Sequence, residues 1–321
     1  MKKIGFLGLG AMGFPIAYGL HKAGYPLLLP TYRDCTMRGF SPTAPDHAAK
    51  KERLAEMLAE GAVGADDQRE LVADSEVLFL SLPTSRQVEE VVLGAEGILE
   101  NGRAGLIVID LTSADPESTR RLNAALEQKG IELLDAPVSG GTIGASQQTL
   151  SVMVGGKREI FARCLELFCV IGAPEKIFYL GPSGAGDVAK CANNFLSAGC
   201  FAATTEALMV CARAGIPPQT AVRLIDSSGG SSSATSHKFP HLIFPGKDMG
   251  MSIELMLKDI ALFLDASRKY HIPAFLGETV YQLWNLPVAE GKGGKDLKTF
   301  IELYEHLCGV TLSGIGIDSQ A

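Results

Sequence analysis

No pair among the seven cysteines of this 321-residue chain has C-x-x-C spacing, and their number is odd. That argues against a disulfide framework and against a zinc ribbon. Several sit in apolar runs, where a free cysteine acts as a small hydrophobe, a pattern suited to a reducing cytoplasm. No clustering of His, Cys and carboxylates suggests a metal. Basic residues are not in excess: 29 Lys and Arg stand against 36 Asp and Glu, a net charge of −7. A nucleic-acid partner is therefore not expected, because phosphate backbones need a cationic surface. Anionic small molecules remain open, since they need only local positive charge. No apolar segment reads as long and clean enough to cross a membrane. The start, MKKIGFLGLG, has two lysines before a short apolar run, as a signal peptide would. Glycines interrupt the run and polar residues return by 18–22, so it reads as a buried first strand. There is no internal repeat, and no low-complexity tract beyond a Ser-rich stretch at 227–236.

What is present is a globular composition, 46% apolar and 20% charged, at a length suited to two domains. Short apolar runs at 3–7, 26–29, 76–82, 106–111, 131–136, 150–154 and 177–180 predict strands. Most are apolar throughout, as strands covered on both faces should be. Amphipathic stretches such as 115–129 and 157–168 alternate with them. That order predicts a doubly wound parallel sheet. From 187 onward the pattern is helical, over 187–214, 218–227, 251–270, 276–286 and 296–308. The expected architecture is an α/β Rossmann-type domain over 1–182 followed by an all-α domain over 183–321, joined at the Gly-rich stretch 181–186.

Four motifs carry chemistry. The first is G-L-G-A-M-G, with Gly8, Gly10 and Gly13, between the first strand and a helix. The first glycine permits a tight turn, the second lets a pyrophosphate approach the backbone, and the third lets helix and strand pack. The helix N-terminus then offers unpaired N–H groups to the anion. After the second strand come Thr31, Tyr32, Arg33 and Asp34. Arg33 would pair with a 2′-phosphate, favouring NADP, whereas Asp34 would hold a ribose 2′-OH, favouring NAD. No acid stands at the strand end itself, which tips the reading towards NADP. The second motif is D-A-P-V-S-G-G at 135–141, where Ser139, Gly140 and Gly141 could present a hydroxyl and two N–H groups to a carboxylate. Taken alone, it is equally ordinary turn chemistry.

The third motif is G-A-G-D-V-A-K-C-A-N-N at 184–194. Lys190 and Asn194 are four apart and share a helix face. Their neighbours are small and apolar, and desolvation there would bring a lysine towards neutrality, as a general acid/base requires. A lone helical lysine more commonly snorkels to solvent. The fourth is Lys258-Asp259. In helical projection Lys258 joins a polar stripe, whereas Asp259 falls among Leu255, Leu262 and Phe263. An acid there needs a partner, and a structural partner is the simpler expectation.

These four motifs, in this order, resemble the β-hydroxyacid dehydrogenase family, over nearly the whole chain from Lys3 to Val310. The resemblance implies a Rossmann domain and a helical domain with the active site in the cleft between them. It implies that Gly8, Gly10, Ala11, Met12 and Gly13 line the pyrophosphate. Leu82, Pro83 and Thr84 match the nicotinamide-side loop, and Thr112 and Ser113 the next loop. Ser139, Gly140 and Gly141 would anchor a substrate carboxylate, Lys190 would be the acid/base and Asn194 its substrate-side partner. Lys258 and Asp259 would close over the cofactor, and Asp296 matches a further acid. Two departures stand out: an insertion from Cys35 to about Lys51, and Q-Q-T-L at 147–150 where family members more often have Gly-Thr-Leu.

The expected activity is NAD(P)-dependent interconversion of a small 3-hydroxy acid and its semialdehyde or keto form, without a metal. The expected assembly is a homodimer or homotetramer in the cytoplasm. Two alternatives are an imine reductase on the same scaffold and a nucleotide-binding homologue without turnover. The retained Lys190 favours carbonyl over imine chemistry, and Lys190 together with Asn194 argues against a homologue without turnover. The segment 227–250 is as good a candidate for a substrate-tail reader as for a plain connection, with Ser231, Ser232, Ser233, His237, Lys238, His241 and Phe244 available.

Overall fold

A computed structural model describes residues 2–31 and 47–315. Its chain divides into two units, Met1–Lys190 and Cys191–Ala321. The first contains strands β1 (Ile4–Leu7), β2 (Leu27–Pro30), β3 (Val63–Ala65), β4 (Val77–Leu80), β5 (Ile107–Asp110), β6 (Glu132–Asp135), β7 (Val138–Ser139), β8 (Leu150–Gly155) and β9 (Gly172–Gly181). Its helices are α1 (Gly13–Lys22), α2 (His47–Ala59), α3 (Gln68–Asp74), α4 (Ser85–Leu93), α5 (Ile98–Asn101), α6 (Pro116–Glu127), α7 (Gly141–Gln147) and α8 (Arg158–Ile171). Helix α9 (Ala185–Arg213) begins in the first unit. The second unit continues with α10 (Pro218–Asp226), a π-helix (Ala234–Ile243), α11 (Ile253–Lys269), α12 (Phe275–Ala289) and α13 (Thr299–Cys308).

The sheet runs β3-β2-β1-β4-β5-β6, all parallel. Alternate strand residues face opposite layers. Ile4, Phe6, Val77, Phe79, Ile107 and Ile109 join one buried cluster. Leu7, Leu78, Leu80 and Val108 join the other. Both faces are covered, which is why these strands are apolar throughout. The chain leaves β1 for β2 on one side and returns to β4 on the other. The carboxyl ends of β1 and β4 therefore flank the switch point where ligands bind in such sheets.

Beyond β6 the sheet departs from the parallel expectation. Strand β8 runs antiparallel to β6 and β7, and β9 then pairs parallel to β8. Strand β9 is also far longer than the apolar run 177–180 implies, its register against β8 shifting between the Gly172–Leu150 and Ile177–Val152 pairs. The second unit has a core of its own around Phe201, Phe239, Trp284 and Phe300, with Trp284 stacked on Phe300 at 4.5 Å. The serines 227–232 lie in turns and irregular chain, and a π-helix, Ala234–Ile243, follows them within the connection 227–250. Helix α9 corrects another expectation: by length and composition it is apolar enough to cross a membrane. Part of its surface is instead the wall of the second core, through Ala198, Phe201, Ala202, Leu208 and Met209.

Candidate active site

The loop after β1 is shaped for close approach. Gly8 has φ +97°, and a Cβ there would stand 2.1 Å from the Ser81 carbonyl oxygen. A Cβ on Gly13 would stand 1.9 Å from the Gly8 carbonyl oxygen. Only hydrogen fits at either position, so the loop folds flat between the ends of β1 and β4. Helix α1 starts at Gly13 with no side-chain cap and no acid in its first turn. The positive end of the helix therefore meets this loop without a capping side chain or an acid, which suits an anion. The residues present fit a dinucleotide pyrophosphate. Gly10, Ala11 and Met12 form the crossing of this loop, and Gly10 O accepts the Phe14 N–H at 3.0 Å. Arg33 and Asp34 lie outside the described residues.

The next two loops are tied together at the same sheet edge. The Leu82 N–H donates to Thr112 Oγ1 at 3.1 Å, and the Thr112 N–H donates to Asp110 Oδ1 at 2.9 Å. Thr112 is buried. Leu82, Pro83, Thr112 and Ser113 therefore follow the carboxyl ends of β4 and β5, beside the Gly8–Gly13 loop.

Ser139 ends β7, and Gly140 and Gly141 follow with φ of +134° and +62°. Glycine adopts both conformations without strain, and both residues are exposed. Just upstream, Asp135 performs a task that sequence reasoning did not assign. Its carboxylate accepts the N–H groups of Gly184 and Gly186 at 2.8 Å and of Asp187 at 3.3 Å. It thereby fastens the end of β6 to the start of α9. Asp187 is itself 1% exposed and accepts from Thr119 Oγ1 at 2.7 Å. Burial pushes the Asp187 carboxyl well above the usual range, and the neighbouring Asp135 and Asp110 push it further. Burial also raises Asp135, against the backbone hydrogen bonds that lower it. The signal was available: Asp135 closes an apolar strand, and Asp187 sits among small apolar residues. Like Asp259, both are acids in apolar company that need a partner.

Lys190 is buried in the second turn of α9, with 8% of its surface exposed. Asn194, one turn on, is also buried. Within the second unit its Nδ2 donates to Asp259 Oδ2, and its Oδ1 accepts from Asn193 Nδ2 at 3.0 Å. Lys258 Nζ lies 3.0 Å from Asp259 Oδ1. Asp259, 2% exposed, thus has a hydrogen-bond donor on Oδ2 and an ion-pair partner beside Oδ1, although the buried Oδ1 accepts no hydrogen bond. Asp296 ties down backbone: it accepts from the Met249, Gly250 and Lys298 N–H groups at 2.8–3.0 Å. Phe244 is packed in the second core at 1% exposure. His237 and His241 are exposed, their rings 5.3 Å apart.

Comparison with known proteins decides the family. Residues 3–181 match the NAD binding domain of 6-phosphogluconate dehydrogenase, and residues 184–304 match the NAD-binding domain of NADP-dependent 3-hydroxyisobutyrate dehydrogenase. The chain belongs to the β-hydroxyacid dehydrogenase family. It is similar to 2-(hydroxymethyl)glutarate dehydrogenase of Eubacterium barkeri, 34% identical over 97% of this chain and 98% of that one. A solved structure of the Mycobacterium tuberculosis 3-hydroxyisobutyrate dehydrogenase with L-serine matches with TM-score 0.78 and 28% identity, over 95% of this chain and 99% of that one. An imine reductase from Myxococcus stipitatus shares the fold with TM-score 0.60 and 18% identity, over 95% of this chain and all of that one. This family member is an NAD(P)-dependent oxidoreductase, as the glycine loop and the matched domains agree.

Proposed function

We propose that this protein interconverts a small 3-hydroxy acid and its semialdehyde or keto form, with Lys190 as the proton donor and acceptor. The observation that carries this reading is a buried lysine, Lys190, on a helix whose start is held by the strand end that leads to Ser139. Ser139 Oγ and the N–H groups of Gly140 and Gly141 hold the substrate carboxylate. Bound NAD(P), held by the Gly8–Gly13 loop and the Leu82–Pro83 and Thr112–Ser113 segments, supplies hydride transfer. In reduction Lys190 Nζ gives its proton to the carbonyl oxygen; in oxidation it takes the hydroxyl proton. Asn194, oriented by Asp259, presents its amide to the same oxygen. Lys258 and Asp259 act on the cofactor side, and Arg33 selects NADP over NAD.

The substrates named for the Eubacterium and Mycobacterium relatives support a hydroxy acid, and a retained lysine favours carbonyl over imine chemistry. Exposed apolar side chains on α9, among them Leu196 and Val210, support a homodimer or homotetramer through the helical unit. The six described cysteines are free, which supports a cytoplasmic setting. The test is NAD(P)H consumption with small semialdehydes and keto acids, wild type against Lys190→Ala. A loss of roughly 10²–10⁴-fold in kcat is expected for a general acid/base.

A further inference from the structure

Lys238 is a half-buried cation held only by neutral groups. It lies in the π-helix, a form of helix that is frequent at functional sites. Its Nζ donates to Ser197 Oγ at 2.6 Å and to the Ser197 carbonyl oxygen at 3.3 Å. It also sits 5.5 Å from the centroid of the Phe201 ring. Among the described residues no carboxylate pairs with it. Lysines in comparable settings each hold an acid: Lys258 with Asp259, Lys298 with Asp248, Lys157 with Glu132. Burying a cation without a counter-charge costs free energy, so this position calls for an anion that the chain does not supply.

The donors left over suit such an anion. An ammonium group has three N–H bonds, and Ser197 takes two of them. The Ser197 hydroxyl accepts from Lys238, so its own O–H remains to donate. One N–H and one O–H therefore remain to donate, enough for the two oxygens of a carboxylate. Ser197 follows Asn194 by three residues on α9, on the same helix face. The rise between them is about 4.5 Å, roughly the reach of two methylene groups.

We propose that Lys238 and Ser197 form a second anion subsite that reads a distal carboxylate, so that the preferred substrates are dicarboxylic 3-hydroxy acids. This rests on the hydroxyacid reading above, with Asn194 at the reacting end. Burial lowers the Lys238 pKa to about 8, so the subsite is charged at neutral pH. The other titratable groups near it are Cys200 on α9 and His237 and His241 on its own helix.

The test compares kcat/KM for 3-hydroxy-2-methylpropanoate with that for the analogue bearing a 2-carboxyethyl group in place of the methyl. The two differ only in the tail. Wild type is expected to prefer the dicarboxylate at least tenfold. Lys238→Met should abolish that preference mainly through the dicarboxylate KM, and Lys238→Arg, which keeps the charge, should restore most of it. Ser197→Ala should reduce it by a smaller factor. A wild type without the preference, or a Lys238→Met enzyme that retains it, overturns the subsite while leaving the hydroxyacid reading intact. No turnover of either acid by wild type overturns both.

Discussion

The Asp135 carboxylate accepts the Gly184 N–H at 2.8 Å, and this bond links the strand before Ser139 to the helix that carries Lys190. Gly186 and Asp187 add two more N–H donors to the same carboxylate. Replacing Asp135 by Asn keeps its shape but removes the charge that assists these bonds. Asp135→Asn should lose about 1–3 kcal/mol of stability and lower kcat more than it raises KM. Urea denaturation and steady-state kinetics on the same preparation check both.

Asp187 sets a pH dependence of stability. Its folded-state pKa is raised by burial, then by Asp135 and Asp110. The folded protein thus holds a proton that the unfolded chain has already lost. Stability from this group is full below the unfolded carboxylate pKa of about 3.9 and is lost as pH rises through the folded value. Asp187→Asn mimics the protonated form at every pH. Its urea midpoint should gain on wild type as pH rises above the unfolded carboxylate pKa of about 3.9; a difference that shows no rise anywhere above that value, or that shrinks, contradicts the assignment.

Asp259→Ala leaves the buried Asn194 amide without its acceptor and Lys258 without its acid. An unpaired buried polar group costs about 1–3 kcal/mol. The variant should melt earlier and turn over at least tenfold more slowly. Asp259→Asn should recover much of the stability and little of the rate, which thermal melts and kcat measurements separate.

The glycine loop gives a binding prediction. Gly13→Val would place its Cβ 1.9 Å from the Gly8 carbonyl oxygen and 3.0 Å from Ser81 Cβ. The loop must shift, and NADPH affinity should fall at least tenfold in a fluorescence titration. Arg33→Ala should weaken NADPH more than NADH in the same assay.

Much of this was legible in the chain because period and punctuation agree with the fold. The run 3–7, the glycines after it and the helix that follows are local signals, and they place the cofactor loop without tertiary knowledge. The Lys190–Asn194 pair was legible for the same reason, since four residues always share a helix face. Elsewhere tertiary pairing overrode local preference. Strand β3 is a three-residue piece with an exposed Val63, too short to announce itself. The connection 227–250 reads as a loop, and its serines 227–232 are one, yet 234–243, with a proline inside it, forms a π-helix packed through Phe239 and Ile243. The antiparallel turn of β8 against β6 is a matter of chain return that no run of residues encodes. Asp135 and Asp187 were readable only as acids in apolar company. Their partnership across 52 residues of chain is a property of the folded sheet.

The central claim is that Lys190 moves the proton, and the most direct test is kcat for a 3-hydroxy acid with NAD(P) in wild type and Lys190→Ala, with cofactor affinity measured in parallel. The account predicts a fall of about 10²–10⁴-fold in kcat with NADPH binding held within about threefold. A variant that keeps kcat within tenfold of wild type, or loses activity only because the cofactor no longer binds, would contradict it.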